Sequence, residues 1–420
     1  MIKKKQIGAA VVALALVAGT AVSVQAAPKT LIISSDLPLQ GSAFDANDST
    51  NKAIQLYLSQ QKNMAGKYKI EFKSYDNATA AKGSWDDAKC AANALAHVAN
   101  KNEVAVMGTF NSGCAKIIAP VLNQAPDGPM LMISNANTNP GLTKEWNPGE
   151  PYKYFPTGLR SYGRVCTTDD FQGAAAAQFA KEKLGVKSVY VLNDTETYGQ
   201  GVAQAFVTEA KKQGITVLSS GDKGEGWDKK QTDYTALFTK IKALNPEMVY
   251  FGGIFDNNGG QLTKDKVKVL GDNTKVKLMG PDGFTGYPQF NSLPEADGAY
   301  LSFAGLSTEL LLKNNPTGAG AKFLKAYKAK YGKDPVGSYP LYGVAAVQVI
   351  LGAIAKSDGT RKGVRDAVFG ANTVQISANN SVLGKAIQLD PLTGDVNAKD
   401  ITIEVVKNKE EVTVQAWAVK

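Results

Sequence analysis

Short β-branched runs alternate with amphipathic helical patterns along almost the whole 420-residue chain. The first series of strand candidates is TLIISSD (30–36), KIEFKSYD (69–76), VAVMG (104–108) and MLMIS (130–134). A second series follows as SVYVLND (188–194), ITVLSS (215–220), MVYFGG (248–253) and VKLMG (276–280). Strand, helix, strand repeated in this order predicts an α/β fold, with parallel sheets that carry helices on both faces.

Helical spacing fills the intervals between these strands. Apolar residues recur at helical spacing over 84–100, behind Ser84 as a possible N-cap, and again over 321–331 and 342–355. The tail breaks the alternation with VLGKAIQLD (382–390), ITIEVV (401–406) and VTVQAW (412–417). We expect these three runs to form strands of a mixed or antiparallel extension.

The second series is a weak copy of the first, and the likeness is clearest in the loops. VMGTFNSG (106–113) and LMISNANT (131–138) are matched by VYFGGIFDNNGG (249–260) and LMGPDGFT (278–285). Each half therefore has a glycine-rich loop after one strand and a polar loop after the next. Because ligands of parallel sheets bind beyond the carboxyl ends of the strands, the four loops predict a cleft between two similar lobes.

The first 26 residues have the order of a secretory signal peptide. Lys3, Lys4 and Lys5 precede an apolar stretch, and small residues at Val24 and Ala26 predict cleavage after Ala26. An uncleaved anchor is the alternative, which the glycines and polar residues inside the stretch disfavour. No cysteine follows for lipid attachment, and no later run is expected to span a bilayer. The mature chain is therefore expected to be periplasmic, unanchored and monomeric.

Export places the three cysteines in an oxidising compartment, where Cys90 and Cys114 can pair. Cys166 is left over, and we expect it to be a small buried hydrophobe. The formal net charge is +9, from 47 basic and 38 acidic residues. Three of the basic residues lie in the leader and the others are scattered. Without a basic stripe and interleaved aromatic residues, a nucleic-acid partner is not expected.

Catalytic groups are scarce in this sequence. The single histidine, His97, lies in a helical stretch before the loops, which argues against a Ser/His/Asp or Cys/His nucleophile system. One histidine and cysteines without CxxC spacing argue against a metal site, and no GxxxxGK[ST] loop is present. YGQGVAQ (198–204) has Gln204 where a dinucleotide fingerprint needs its third glycine. We therefore expect no enzyme, no metal and no cofactor.

A binding site uses the same loops directly. A loop that leaves a strand and enters a helix presents N–H groups to a carboxylate, with Ser112 as a further donor and with Asn111 and Gly113 allowing the turn. Ala136 and Thr138 offer a carbonyl and a hydroxyl, and Asp282 on the facing lobe can hold an ammonium group. Together these groups match the backbone of an α-amino acid. Each of them taken alone is equally consistent with a turn former or a helix cap.

Six segments taken together resemble the branched-chain amino acid (leucine/isoleucine/valine) binding proteins of ABC transporters, in the same order over almost the whole mature chain. They are YDNATAAKG, MGTFNSGC, PMLMISNANTNPGLT, DTETYGQGVAQAF, VYFGGIFDNNGGQL and LMGPDGF. The resemblance implies two Rossmann-like lobes joined by three hinge crossovers that close on a ligand. It also implies an amino acid ligand and an ABC permease as partners. We place lobe 1 at 27–164 and 304–384, and lobe 2 at 165–303 and 385–420.

The resemblance also implies roles for single residues. Ser112 matches the serine that binds the ligand carboxylate, and Ala136 and Thr138 match residues that contact the carboxylate and the amino group. Tyr198 matches a tyrosine of the second lobe, and Asp282 falls where the family usually has a glutamate for the ammonium. Cys90 and Cys114 are similar to the family's disulfide, although their positions are shifted.

Departures from the family pattern leave the ligand open. Asp282 is the shorter acid, and Phe255 lies near a position where the family often has tyrosine. The first loop, LPLQGSAFDANDST (37–50), is longer than usual and offers only Phe44 as an aromatic match. A branched-chain amino acid, another amino acid, or an amide or urea relative all fit. A ligand sensor or an exported Rossmann-like enzyme are the alternatives from other functional classes.

Overall fold

The structure is a computed structural model that describes residues 1–2 and 27–419. The predicted signal peptide therefore lies outside the described residues, apart from Met1 and Ile2. The strands are β1 (Thr30–Leu37), β2 (Met64–Ala65), β3 (Tyr68–Asp76), β4 (Ala78–Thr79), β5 (Ser84–Trp85), β6 (Glu103–Gly108), β7 (Leu131–Ser134), β8 (Tyr162–Arg164), β9 (Ser188–Asn193), β10 (Thr216–Val217), β11 (Glu225–Gly226), β12 (Met248–Gly252), β13 (Lys277–Gly280), β14 (Tyr300–Phe303), β15 (Ile401–Lys407) and β16 (Glu410–Trp417).

The helices alternate with these strands. They are α1 (Phe44–Gln60), α2 (Asp87–Ala99), α3 (Ser112–Asn123), α4 (Asp169–Glu182), α5 (Thr197–Lys212), α6 (Thr235–Ala243), α7 (Gly259–Leu270), α8 (Pro288–Asn291), α9 (Thr308–Asn314), α10 (Ala319–Tyr331), α11 (Tyr339–Lys356) and α12 (Arg361–Phe369). Short 3₁₀ helices include Pro140–Leu142 and Asp282–Phe284.

Two sheets organise the molecule. The first has the order β2-β3-β1-β6-β7-β8, and all its pairings are parallel except that of β2 with β3. The second has the order β10-β9-β12-β13-β14-β15-β16, parallel from β10 to β14 and antiparallel over the last two pairings. The strand order reverses at β1/β6 in the first sheet and at β9/β12 in the second. Such reversal points place a crevice at the carboxyl ends of the strands.

The chain passes between the sheets three times. It leaves the first sheet after β8, returns after β14, and enters the second sheet again at β15. The predicted α/β fold of two Rossmann-like lobes with three crossovers is therefore confirmed. The residue bounds given above for the two lobes stay a prediction.

Apolar residues bury both faces of the central strands of each sheet. Strands such as β6 and β12 are buried at every position, which explains why the sequence shows them as unbroken apolar runs rather than as alternating patterns. Four clusters of buried side chains cover the sheet faces. One cluster joins Cys90 and Cys114 of the first lobe with Tyr198, Val202 and Ile254 from the second-sheet side, so the core continues across the cleft.

Helix α11 bears on the expectation that no run after the leader spans a bilayer. Its 18 residues have a mean hydropathy of 1.3, which by length and composition alone is enough to cross a membrane. In the fold 83% of that window is buried, against α1, α12 and the first sheet. The helix is apolar on all sides because it lies inside a protein core.

Two local predictions were wrong, and a third held only in part. Ser84 lies in the short strand β5, and Asp86 caps α2 by accepting a hydrogen bond from the Lys89 amide. Residues 382–390 form only isolated bridges, Ile376 with Ile387 and Leu389 with Val396, instead of a strand. Of the run 215–220, only Thr216–Val217 is paired in the sheet.

Candidate functional site

The carboxyl ends of the two sheets enclose a small cavity. It is lined by Phe110, Asn111, Ser112, Ala136, Tyr198, Ile254, Asp282, Gly283 and Tyr339. Its volume is about 20 Å³, enough for a single water molecule. Sites for small organic ligands usually measure about 300–1,000 Å³. The lobes are therefore closed on each other, and they must separate to admit a solute.

The first wall of the cavity is the start of α3. Asn111 is the N-cap residue in extended conformation, and its Oδ1 is buried without a hydrogen-bond partner in the described chain. The Ser112 Oγ accepts a hydrogen bond of 3.4 Å from the Asn139 amide. The first amides of a helix have no partner within the helix and attract negative charge. This wall is therefore suited to a carboxylate.

Gly113 has a different role from the turn expected for it. It lies within α3, and a Cβ at this position would come within 2.5 Å of the Trp85 ring. The next residue, Cys114, forms a disulfide with Cys90 of α2 across a Cα–Cα distance of 5.6 Å, as predicted. Disulfide and indole together fix the N-terminus of α3 against its neighbour. Cys166 is free and buried, as expected.

The loop after β7 contributes less to the cavity than predicted. Ala136 lines it, and its amide donates to the Ser134 Oγ at 3.1 Å. Thr138 is fully buried but is not among the lining residues. Its carbonyl accepts the Asp169 amide at 2.9 Å, while its Oγ1 has no hydrogen-bond partner among the described residues. In this closed state Thr138 lies behind the cavity wall.

Asp282 forms the opposite wall and is 4% exposed. Its Oδ1 accepts hydrogen bonds from the Tyr198 hydroxyl at 2.5 Å and from the Gln172 amide at 2.7 Å. The Tyr339 hydroxyl donates to its Oδ2. Burial and the charge of Asp282 raise the pKa of both tyrosines, so their hydroxyls stay protonated and act as donors. The acid is held by three neutral donors, and none of them is a cation.

A second buried acid increases the negative charge of this region. Asp169, in the first turn of α4, is fully buried, and within the described residues neither of its carboxylate oxygens has a hydrogen-bond partner. Burial, and next the charge of Asp282, raise the pKa of Asp169 well above its usual value. Burial likewise raises the pKa of Asp282, against the hydrogen bonds of its donors. A positive group at Asp282 would reduce the repulsion between the two acids.

Phe255 does not reach the cavity. Its ring packs in an aromatic cluster with Phe284, Tyr287 and Phe290, at centroid distances of 5.3–6.3 Å. The residue before it, Ile254, takes the lining position. Of the seven predicted ligand residues, the structure thus brings together Asn111, Ser112, Ala136, Tyr198 and Asp282.

Four lining residues were not predicted: Phe110, Ile254, Gly283 and Tyr339. Three of them are direct sequence neighbours of predicted residues, so adjacency was the available signal. Tyr339 had none, because it starts a helix 57 positions after its partner Asp282. Gly283 is required by close packing, since a Cβ there would overlap the Gly253 carbonyl and approach the Tyr198 ring at 2.8 Å.

Three further hydrogen bonds join the walls of the cleft. The Trp85 Nε1 donates to Glu196 Oε2 at 2.9 Å, and the Asn139 side chain donates to the Thr197 carbonyl at 3.2 Å. On another side the Ala43 amide donates to Asp256 Oδ1 at 3.1 Å. All of them connect residues next to the first sheet with residues next to the second. They stabilise the closed state directly.

His97 is a structural element of the first lobe. It is fully buried, with Nε2 at 3.0 Å from Asp36 Oδ2 and Nδ1 at 2.5 Å from Glu103 Oε1. Burial lowers the pKa of His97, but the hydrogen bonds to the two acids outweigh this effect and raise it to about 9. Asp36 is the next-to-last residue of β1 and Glu103 begins β6, so the imidazolium links the two strands that flank the reversal point.

Comparisons with known proteins agree with this architecture. The family model described as periplasmic binding protein matches residues 37–390. An amino acid binding protein of Pseudomonas aeruginosa is 27% identical over 290 residues, 67% of this chain and 66% of the relative. A Leu/Ile/Val/Thr-binding protein of Salmonella typhimurium is 28% identical over 250 residues, 58% of this chain and 60% of the relative. The matches thus span less than two thirds of the length of these relatives.

Solved structures show the same fold at lower identity. A leucine binding protein of Thermotoga maritima superposes with a TM-score of 0.74 at 21% identity, covering 92% of this chain and 98% of that one. An ABC transporter solute binding protein of Rhodopseudomonas palustris, in complex with p-hydroxybenzoic acid, gives 0.74 at 15% identity, covering 93% and 98%.

The resemblance to Leu/Ile/Val-binding proteins is thus confirmed by relatives of that name, and the matching family consists of binding proteins, not enzymes. Because its model covers most of the sequence, this chain belongs to the periplasmic binding protein family.

Proposed function

We propose that this protein is the periplasmic solute-binding component of an ABC importer, and that it captures an aliphatic α-amino acid between its lobes for delivery to the permease. The observation that carries the proposal is the polarity of the cavity. The N-terminus of α3, with Ser112, lies on one wall, and the desolvated Asp282 lies on the other. A zwitterion offers a carboxylate to the first wall and an ammonium to the second.

Apolar side chains favour an aliphatic ligand. Phe110, Ala136 and Ile254 line the cavity between the two polar ends. A carboxylic acid without an amino group, such as p-hydroxybenzoate, would leave Asp282 without a positive partner. Because unpaired buried charges are costly, such acids should bind less well than amino acids.

Isothermal titration of the mature protein tests the proposal. The panel contains leucine, isoleucine, valine, alanine, glutamate, a primary amide, urea and p-hydroxybenzoate. We expect the tightest binding among the aliphatic amino acids. Preferential binding of the aromatic acid or of the amide would refute the amino acid assignment, as would the absence of binding across the panel.

Substitution at the site gives a sharper comparison. Asp282→Asn keeps the shape of the side chain, removes the charge and replaces one accepting oxygen by an NH2 group, and it should weaken amino acid binding by about 2–5 kcal/mol. Phe255→Leu is the matched control, because Phe255 lies in the same lobe outside the cavity. Equal affinities of wild type and Asp282→Asn would mean that the ammonium binds elsewhere.

A further inference from the structure

A second and larger cavity lies between the lobes, apart from the ligand cleft. Its volume is about 440 Å³. One wall comes from Gly286, Pro288 and Asn291 and from the β15–β16 hairpin. The other wall comes from α9, from Leu324 of α10 and from residues 334–338, which lead into α11. The size is in the usual range for a small-molecule site, and none of its residues also lines the first cavity.

Acidic side chains dominate the lining of this second cavity. They are Glu309, Asp334, Glu404, Glu410 and Glu411, and the lining contains one basic residue, Lys409. Asp334 is already paired with Lys328 at 2.8 Å. The described residues provide no comparable cation for the glutamates that lie deeper in the cavity.

Glu404 is the decisive residue. It lies on β15, is 4% exposed, and its side chain has no hydrogen bond or ion pair with any residue in the described part of the chain. Its neighbours have only neutral donors: Glu411 Oε1 accepts from the Gly286 amide at 2.7 Å and from Asn291 Nδ2 at 2.9 Å. Glu309 Oε2 accepts the Thr413 amide at 3.0 Å. Glu404 is thus the buried carboxylate of this cavity, Glu411 beside it is half-buried with neutral donors alone, and Glu309 lies at the exposed edge.

An unpaired buried carboxylate is expensive, because burial removes its hydration. Burial, and then the charges of Glu411 and Glu309, raise the pKa of Glu404 well above its usual value. A bound cation would reduce this repulsion. Leu312, Leu324 and Val336 lie on the facing wall and offer an apolar surface beside the acids.

We propose that this cavity binds a small organic cation, whose ammonium or guanidinium group pairs with Glu404 and whose aliphatic body lies against Leu312, Leu324 and Val336. Among the residues that the structure describes, no three metal-ligating side chains converge, which favours an organic cation over a metal ion. Both lobes supply the walls, so occupancy of this cavity and closure of the ligand cleft are coupled, and the coupling is reciprocal.

The test uses the mature, disulfide-bonded protein and 1,4-diaminobutane as the probe. Its neutral analogue 1,4-butanediol is the matched control, and calcium chloride tests for a metal. Isothermal titration and thermal unfolding should show binding and a raised Tm for the diamine alone. Absence of diamine binding overturns the proposal. So does equal binding of the diol, or a calcium effect in place of a diamine effect.

A pair of variants assigns the site. Glu404→Gln removes the charge at constant shape and should weaken diamine binding at least tenfold. Folding should survive, since the substitution removes an unpaired buried charge; circular dichroism checks this. Asp334→Asn is the control from the same lining, and should bind within twofold of wild type because Lys328 already neutralises Asp334. Unchanged diamine affinity in Glu404→Gln would place the cation elsewhere and overturn the proposal.

Discussion

His97 should carry a positive charge well above neutral pH. The balance of burial against hydrogen bonds to Asp36 and Glu103 raises its pKa from 6.5 to about 9. One pKa unit equals 1.36 kcal/mol, so this shift corresponds to about 3 kcal/mol of stability. Because the folded pKa is the higher one, this stabilisation is complete below about pH 6.5. It is lost as the pH rises through about 9.

Nuclear magnetic resonance can measure the pKa of His97 directly, because the sequence contains one histidine and its ring signals need no assignment. The signals should titrate near pH 9 in the native protein and near 6.5 in concentrated urea. A native midpoint at or below 6.5 would show that the desolvation of the ring outweighs the two carboxylates. The assignment of a charged His97 between Asp36 and Glu103 would then be wrong.

Substitution of His97 measures how much its contacts with Asp36 and Glu103 stabilise the fold. His97→Gln leaves Asp36 and Glu103 buried without a cation, and should destabilise the protein by about 3–5 kcal/mol at pH 6. Adding Glu103→Gln to this variant removes one of the stranded charges and should restore part of the loss. Urea unfolding at pH 6 gives both values. A double variant less stable than the single one would contradict a repulsive pair of acids.

Two further outcomes follow from the walls of the cleft. Replacing Cys90 and Cys114 by serine opens a loop of 24 residues and should lower the free energy of unfolding by about 3 kcal/mol. A loss below about 1 kcal/mol in urea unfolding would mean that packing around Gly113 holds α3 in place without the disulfide. Trp85→Phe keeps a ring beside Gly113 but removes the hydrogen bond to Glu196, which contributes about 1 kcal/mol to the closed state. Small-angle scattering of the ligand-free variant should therefore show a larger radius of gyration than wild type. An unchanged radius would mean that this bond does not hold the lobes together.

The sequence predicts the central strands of the sheets well because these strands are buried on both faces. Runs such as 104–108 and 248–253 are apolar throughout, and these positions became β6 and β12. Short edge pieces were harder to predict: residues 382–390 have the composition of a strand, but only isolated bridges form there. A strand requires a partner along its length, and composition does not supply one.

The predicted site residues lie in loops that follow strands, and five of them line one cavity. What the sequence could not supply was long-range pairing. Tyr339 reaches Asp282 from α11, and His97 reaches Asp36 across 61 positions. Neither pair is marked by a local motif, since each depends on how separate elements pack. In the closed state Ile254, the residue before Phe255, lines the cavity, and a ligand contact of Phe255 stays a prediction.

The two tyrosine hydroxyls that donate to Asp282 affect the apparent affinity of the site for a ligand. Tyr198 comes from α5, on the same side of the cleft as Asp282, but Tyr339 belongs to the helix that fills the core of the other lobe. In the closed state the acid thus already accepts a hydrogen bond from the opposite lobe. Under the proposed function, a ligand ammonium approaches an acid whose Oδ2 already accepts the Tyr339 hydroxyl. A measured dissociation constant therefore reports a difference in free energy, between the new contact of the ammonium and any tyrosine hydrogen bond that it displaces.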